Sequence, residues 1–158
     1  MKRIIFTVIL IISVTLCACE RNEALSEREF YFCIRGVGFT VGEDAEEIVD
    51  RLGNPDRVLC ADSCAGEGKD IQYIYGGFKI HAHEGGGKSR ITQIEITSDA
   101  YATAEGAKIG ISRSELVQIY GVGIEENGVI DYVGEECILR FYLINSRVYR
   151  IKYLDIDS

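Results

Sequence analysis

Residues 41–53 read VGEDAEEIVDRLG, and residues 109–121 read IGISRSELVQIYG. The two stretches align without gaps. The matching pairs are Gly42 with Gly110, Glu47 with Glu115, Ile48 with Leu116, Val49 with Val117, and Gly53 with Gly121. A repeat at a fixed separation indicates that the chain contains two copies of one structural unit.

Each stretch has the features of a short helix. Asp44 or Ser112 is an N-cap residue, and the glutamate three residues later completes a capping box. The glycine at the end of each stretch supplies a left-handed stop. Apolar residues recur at helical spacing on one face: Ala45, Ile48, Val49 and Leu52 in the first copy, and Leu116, Val117 and Tyr120 in the second.

Strand-like segments follow each helix: 71–75, 78–83 and 91–97 in the first copy, and 129–133, 137–143 and 148–154 in the second. One helix with a three-stranded antiparallel meander cannot bury its apolar face alone. We therefore predict an α+β fold of two tandem repeats, at about residues 39–98 and 104–156. The repeats are expected to share one sheet, with both helices on one face.

The helix–meander pattern resembles the β-lactamase-inhibitor-like fold and, more loosely, the small BamE/SmpA-type lipoprotein domains. The run from Ser63 to Phe78, together with the run from Ala102 to Gly110, is similar to a family of uncharacterised bacterial lipoproteins. That family implies no activity, and a shared fold does not imply inhibition of β-lactamase.

The first residues resemble a lipoprotein signal. Lys2 and Arg3 precede thirteen mostly apolar residues, 4–16, which is shorter than the roughly 20 that span a bilayer. The tetrapeptide Leu16-Cys17-Ala18-Cys19 resembles a lipobox, which implies cleavage before Cys19 and lipid attachment to it. Cys17 competes as the lipid site, but it would place bulky Leu16 at the cleavage position.

This resemblance divides the chain into a signal peptide, 1–18, a polar tether, 19–29, and a single domain, 30–158. It implies an extracytoplasmic protein attached to the cell membrane through lipid on Cys19. An even number of exported cysteines favours two disulfides. Cys60 and Cys64 could pair locally and leave Cys33 with Cys137, although three connectivities exist and free thiols are the alternative.

The charge balance argues against several ligands. The chain has 17 basic and 25 acidic residues, for a net charge of −8, and removal of Lys2 and Arg3 makes the mature chain more negative. Because a chain with this excess of acidic residues repels phosphate backbones, no nucleic-acid partner is predicted. The run Gly85–Ser89 ends like a P-loop, but Ala82 replaces its first glycine and the run lies between two strands. We interpret it as a turn and predict no nucleotide binding.

His81 and His83 are the only histidines, and strand alternation places both on one face. They could hold zinc or copper if a carboxylate such as Glu84 or a residue on the neighbouring strand joined them. The simpler interpretation is the polar outer face of a half-buried strand. A cysteine paired with either histidine would make a thiol-dependent enzyme, which is a third and weaker hypothesis.

The nine tyrosines suggest two further interpretations. Tyr73 and Tyr75 are expected on one strand face, and Tyr149 and Tyr153 on one face of the last strand. They either pack the sheet or line a concave face that binds a protein or glycan. With no catalytic motif present, we predict a non-enzymatic interaction module without a cofactor and with an unknown protein partner. The alternative is a small-ligand or metal-binding lipoprotein that uses His81 and His83.

Overall fold

The computed structural model describes residues 28–64 and 66–156. A short hairpin of β1 (Phe32–Ile34) and β2 (Val37–Phe39) comes first. It is followed by α1 (Ala45–Leu52), β3 (Arg57–Asp62), β4 (Lys69–Tyr75), β5 (Phe78–Gly85) and β6 (Lys88–Ile96). The second half contains α2 (Arg113–Tyr120), β7 (Ile124–Glu126), β8 (Val129–Val133), β9 (Cys137–Ile144) and β10 (Arg147–Asp155).

The strands from β3 to β10 form one antiparallel sheet in the order β3-β4-β5-β6-β10-β9-β8-β7. The last strand in the chain, β10, therefore lies at the centre, between β6 and β9. It pairs Ile151 with Ile96 and Tyr153 with Ile94. This register brings side chains from the two halves of the chain next to each other.

The predicted fold class, two repeats of a helix and a three-stranded meander, is wrong. The described residues form mostly strands, with two eight-residue helices, one eight-stranded sheet and the separate β1–β2 hairpin. The prediction missed β3 because all six of its residues are exposed at the sheet edge, so they show no alternation of burial. It missed β7 because that strand has only three residues.

Both helices begin and end where the sequence predicts. The Asp44 carboxylate accepts from the backbone N–H groups of Glu46 and Glu47 at 3.0 and 3.1 Å. Ser112 and Glu115 form a full capping box. Neither helix within the described residues is long and apolar enough to cross a membrane.

Both helices and the hairpin pack on one face of the sheet. Helix α1 buries Ala45, Ile48 and Leu52 against the sheet, and helix α2 buries Leu116 and Tyr120. Two aromatic clusters join these elements to the sheet: Phe32, Phe39 and Phe78 in the first half, and Tyr120, Tyr132 and Phe141 in the second. These buried side chains belong to one apolar cluster, so this face of the sheet is the core. Burial of each large apolar side chain contributes about 1.5–3 kcal/mol to the stability of the fold. Within the described residues the opposite face carries no helix.

Candidate functional site

The face without helices, called here the open face, carries two adjacent rows of side chains that run across the strands. The neutral row consists of Leu59, Gln72, His81, Gln93 and Leu154. The charged row lies beside the neutral row, two residues away along each strand. It consists of Arg57, Ile74, Lys79, Glu95, Lys152 and Arg140. Strand alternation points both rows away from the core.

A groove of about 610 Å³ lies over the neutral row. It extends from Leu59 on edge strand β3 to Leu154 on β10, and short side chains such as Ala61 and Thr92 contribute to its lining. The groove is therefore a concave part of the open face, with an apolar side chain at each end, polar side chains between them, and the paired side chains of Asp70 and His83 in its lining.

Glu95 is the most buried residue of the charged row, with 7% of its surface exposed, because basic side chains surround it. Its Oε1 lies 3.1 Å from Nε of Arg150. Its Oε2 lies 3.9 Å from Nζ of Lys79 and 3.8 Å from Nε2 of His81. Lys152 lies directly opposite Glu95 on β10. Three permanent cations around one carboxylate leave an excess of positive charge at this place.

The same neighbours determine the protonation of Glu95. The imidazole of His81 has the largest effect and lowers the pKa of the carboxyl, burial raises it, and Lys79, Lys152 and Arg150 lower it further. The combined effect is a pKa below the ordinary value. The group is therefore a carboxylate at neutral pH, paired as a buried charge must be.

Two tyrosines extend the open face beyond Glu95. The ring centroids of Tyr142 and Tyr149 are 6.2 Å apart. The guanidinium carbon of Arg150 lies 5.8 Å from each centroid, and Nζ of Lys152 lies 5.9 Å from that of Tyr142. Cation–π attraction of this kind holds basic side chains against the rings.

Arg140, the last cation of the charged row, is already paired. Its Nε and Nη2 donate to the two carboxylate oxygens of Asp131 on β8 at 2.8 and 2.7 Å. Such bidentate pairing is strong and directional. The unbalanced positive charge therefore lies near Glu95 and not at Arg140.

The two histidines lie on the open face, as their alternation predicts, but each has its own partners. Nδ1 of His83 lies 3.0 Å from Oδ1 of Asp70, and this hydrogen bond lowers the pKa of Asp70. His81 contacts the amide of Gln72 at 3.3 Å and lies near Glu95. Within the described residues no group of three histidine, cysteine, aspartate or glutamate side chains could hold a metal ion. A metal site at His81 and His83 stays a prediction that needs a further ligand.

All four cysteines beyond Cys19 are free thiols in the structure. Cys33, Cys60 and Cys64 are exposed, whereas Cys137 is buried, and burial raises the pKa of its thiol to about 11. Cys60 lies on β3, and Cys64 lies in the following loop, where the N–H of Ser63 donates to the carbonyl of Gly68. The disulfide pairings stay predictions.

Cys19 and the signal residues lie outside the described residues, so the structure does not bear on the lipidation site. The run Gly85–Ser89 forms the β5–β6 turn, with positive φ angles of 61° and 78° at Gly86 and Gly87. The interpretation as a hairpin turn is confirmed.

The prediction for Tyr149 and Tyr153 is wrong. Tyr153 is fully buried in the core, whereas Tyr149 is 46% exposed. The register shift between Val148 and Arg150 places an extra residue in β10, so the two tyrosines no longer share a face. Tyr73 and Tyr75 both pack against the core, so the tyrosines of β4 serve the sheet and do not line the groove.

The sequence prediction missed Glu95 and its basic neighbours. Glu95 stands between Ile94 and Ile96, and Lys152 stands between Ile151 and Tyr153, so alternation marks both as outward-facing residues but does not show that they are neighbours. Their juxtaposition depends on the pairing of β6 with β10, which joins segments about fifty residues apart.

No protein-family model matches this chain. No curated protein matches its sequence. Among solved structures, its fold is similar to an extracellular protein containing a SCP domain from Bacillus anthracis str. Ames, with 11% identity, a TM-score of 0.54, and coverage of 75% of this chain and 45% of that one. It is also similar to a cysteine-rich secretory protein from Staphylococcus aureus subsp. aureus Mu50, with 14% identity, a TM-score of 0.51, and coverage of 74% and 45%. The chain spans less than half the length of either protein, and at these identities the likeness shows the fold alone.

Proposed function

We propose that this protein is a lipid-anchored, extracytoplasmic interaction module that binds a partner protein on the open face of its sheet. The observation that carries the proposal is the groove of about 610 Å³ on a face without helices. Concave surfaces with a few polar groups among apolar ones are the usual places for binding.

The lipid anchor rests on the lipobox-like residues Leu16 to Cys19 and on the resemblance to bacterial lipoproteins. The two solved structures of similar fold are described as extracellular and secretory proteins, which is consistent with export. Lipid attached to Cys19 would hold the acidic domain at the membrane without help from a basic surface.

A non-enzymatic role fits the placement of the nucleophiles. The histidines are on the open face, whereas buried Cys137 belongs to the core on the other side of the sheet. Its thiol, with a pKa of about 11, is protonated at neutral pH. Cys60 pairs with Ile71 on edge strand β3 and also lines the groove together with His81, but no hydrogen bond joins its thiol to either histidine among the described residues.

Site-specific photocrosslinking tests the binding face. A benzophenone amino acid at Leu59, at the groove end, is expected to give a discrete adduct in cells of the source organism. The matched control places the same amino acid at Asp50, which is exposed on α1. Equal adducts from both positions, or none from Leu59, would overturn the proposal.

Metabolic labelling with an alkynyl fatty acid tests the anchor. The variant Cys19→Ser is expected to lose the label and to leave the membrane fraction. Cys17→Ser is the matched control and should keep both. Labelling that follows Cys17 instead would show that the anchor has been assigned to the wrong residue.

A further inference from the structure

We propose that the open face binds an extended acidic polypeptide segment, which lies in the groove and places its carboxylates on Lys79, Arg150 and Lys152. This inference rests on the proposed function and names the chemistry of the partner. It is carried by the charge around Glu95, by the length of the groove and by the order of the side chains in the neutral row.

The charge argument begins with the imbalance at Glu95. Lys79, Arg150 and Lys152 carry three positive charges, and within the described part of the chain Glu95 is the carboxylate that lies among them. The Asp70 carboxylate also lines the groove, where it contacts Nδ1 of His83 at 3.0 Å. The whole chain has a net charge of −8, and exposed glutamates and aspartates lie on α1, on the other face. A locally positive surface on a negative protein complements an acidic partner and steers it to this face.

The cations are accessible to such a partner. The side chain of Arg150 is 45% exposed and that of Lys79 is 33% exposed, whereas the Glu95 side chain beneath them is 9% exposed. An incoming carboxylate can therefore reach the outer sides of both cations without displacing Glu95.

The neutral row favours a polypeptide over a glycan or a bilayer. Five strands at a spacing of about 4.8 Å span about 19 Å from Leu59 to Leu154, which matches about six residues of extended chain. The leucines at the two ends suit apolar side chains, which a glycan lacks. Oε1 of Gln93 accepts from Nζ of Lys152, and Nε2 of Gln72 contacts His81. The amide nitrogen of Gln93 can donate to a peptide backbone, and the amide oxygen of Gln72 can accept from one. A planar bilayer cannot follow a concave groove.

Glu95 has a defined role in this arrangement. In the free protein it holds the three cations together and prevents their mutual repulsion. In the complex it competes with the carboxylates of the partner for the same charges. Removal of its charge should therefore strengthen binding, an effect that a purely structural glutamate would not produce.

Fluorescence anisotropy with a defined peptide tests the proposal. The probe is fluorescein-labelled Leu-Glu-Glu-Glu-Glu-Leu, and the protein is the full chain in a neutral detergent. We expect binding that weakens as salt is added and no binding of the peptide with glutamine in place of glutamate. Equal binding of the two peptides would overturn the inference.

Variants locate the site. Lys79→Gln, Arg150→Gln and Lys152→Gln together should weaken binding at least tenfold, and Glu95→Gln alone should tighten it several-fold. Because the triple variant leaves Glu95 buried without its cations, a quadruple variant that adds Glu95→Gln provides a neutral, foldable version and should also lose binding. Arg51→Gln on exposed α1 is the matched control and should bind as the wild type does. Wild-type affinity in the quadruple variant would refute the assignment.

Two further probes separate the partner classes. Polygalacturonate and vesicles containing phosphatidylglycerol offer the same negative charge without a peptide backbone. Tighter binding of either probe through the same cations would overturn the polypeptide assignment. Absence of peptide binding with an intact Leu59 crosslink would reject the acidic partner alone, whereas loss of both would reject the proposed function as well.

Discussion

Arg150 on β10 and Glu95 on β6 form an ion pair at 3.1 Å that crosses the seam between the two halves of the sheet. The pair is diagonal, because the residue directly opposite Glu95 is Lys152. One strand thus brings two cations to one carboxylate. This geometry makes Glu95 important for stability as well as for the proposed binding.

Glu95→Gln should lower stability at neutral pH by about 1–3 kcal/mol, because it removes the charged acceptor of buried, charge-assisted contacts. The pKa of Glu95 is lowered in the folded protein, so its stabilising contribution is present above the ordinary carboxyl pKa and is lost as the pH falls through the lowered value. Urea unfolding at pH 7, 5 and 3 should show the difference from wild type shrinking below about pH 4.5. Glu135→Gln, at an exposed loop position, is the control, and a difference that stays constant to pH 3 would contradict this assignment.

Tyr120→Phe should destabilise the protein by about 1–3 kcal/mol. The buried Tyr120 hydroxyl lies 2.6 Å from Oγ1 of Thr103 and 2.5 Å from Oε2 of Glu105. The same Thr103 oxygen accepts from the N–H of Ala107, so the hydroxyl helps to hold the loop before α2. Thermal unfolding checks the loss. Tyr31→Phe, at an exposed tyrosine, is the control and should change the melting temperature little.

Gly77→Ala should cost about 1–3 kcal/mol through overpacking. A Cβ added at Gly77 would lie 2.4 Å from Cε2 of Tyr101, whose ring packs edge-on against Phe78 at 5.4 Å. Gly66→Ala is the matched control, because a Cβ at Gly66 meets no atom within 4 Å. Denaturant midpoints of the two variants give the comparison. Equal midpoints would show that Tyr101 can move aside without cost.

Cysteine reactivity should divide the four thiols into two classes. In the reduced, folded protein, iodoacetamide at pH 8 should modify the exposed thiols of Cys33, Cys60 and Cys64 and leave Cys137 unmodified. With a pKa of about 11, Cys137 has little thiolate at that pH in addition to being buried. Mass spectrometry before and after unfolding in urea identifies which cysteines carry the modification. Rapid modification of Cys137 without denaturant would contradict its placement in the core.

Local sequence signals predicted both helices. The strands were predicted less completely, because their number and order depend on pairing across the whole sheet. An N-cap, a capping glutamate and a terminal glycine define α2 within thirteen residues, and the structure contains each of them. Strand β8 was predicted to its exact ends, 129–133, because its burial alternates. Edge strand β3 gave no such pattern, and β1, β2 and β7 have only three residues each, which is why the predicted number of strands was wrong.

The sequence predicted only those features of the candidate site that depend on a single strand. Alternation along β5 placed His81 and His83 on the open face without reference to any other strand. Their neighbours could not be inferred in this way. The approach of Arg150 to Glu95 depends on the β6–β10 register and on the irregularity near Tyr149, and both are determined by packing of the whole sheet.

The central place of β10 also determines the order in which the fold can form. Residues 147–155 leave the ribosome after both of the strands that pair with them, β6 and β9. Until they arrive, each half presents an unpaired backbone edge that invites wrong pairing. Contacts between distant segments also make folding slow. The two halves can therefore join into one sheet only after β10 has been synthesised.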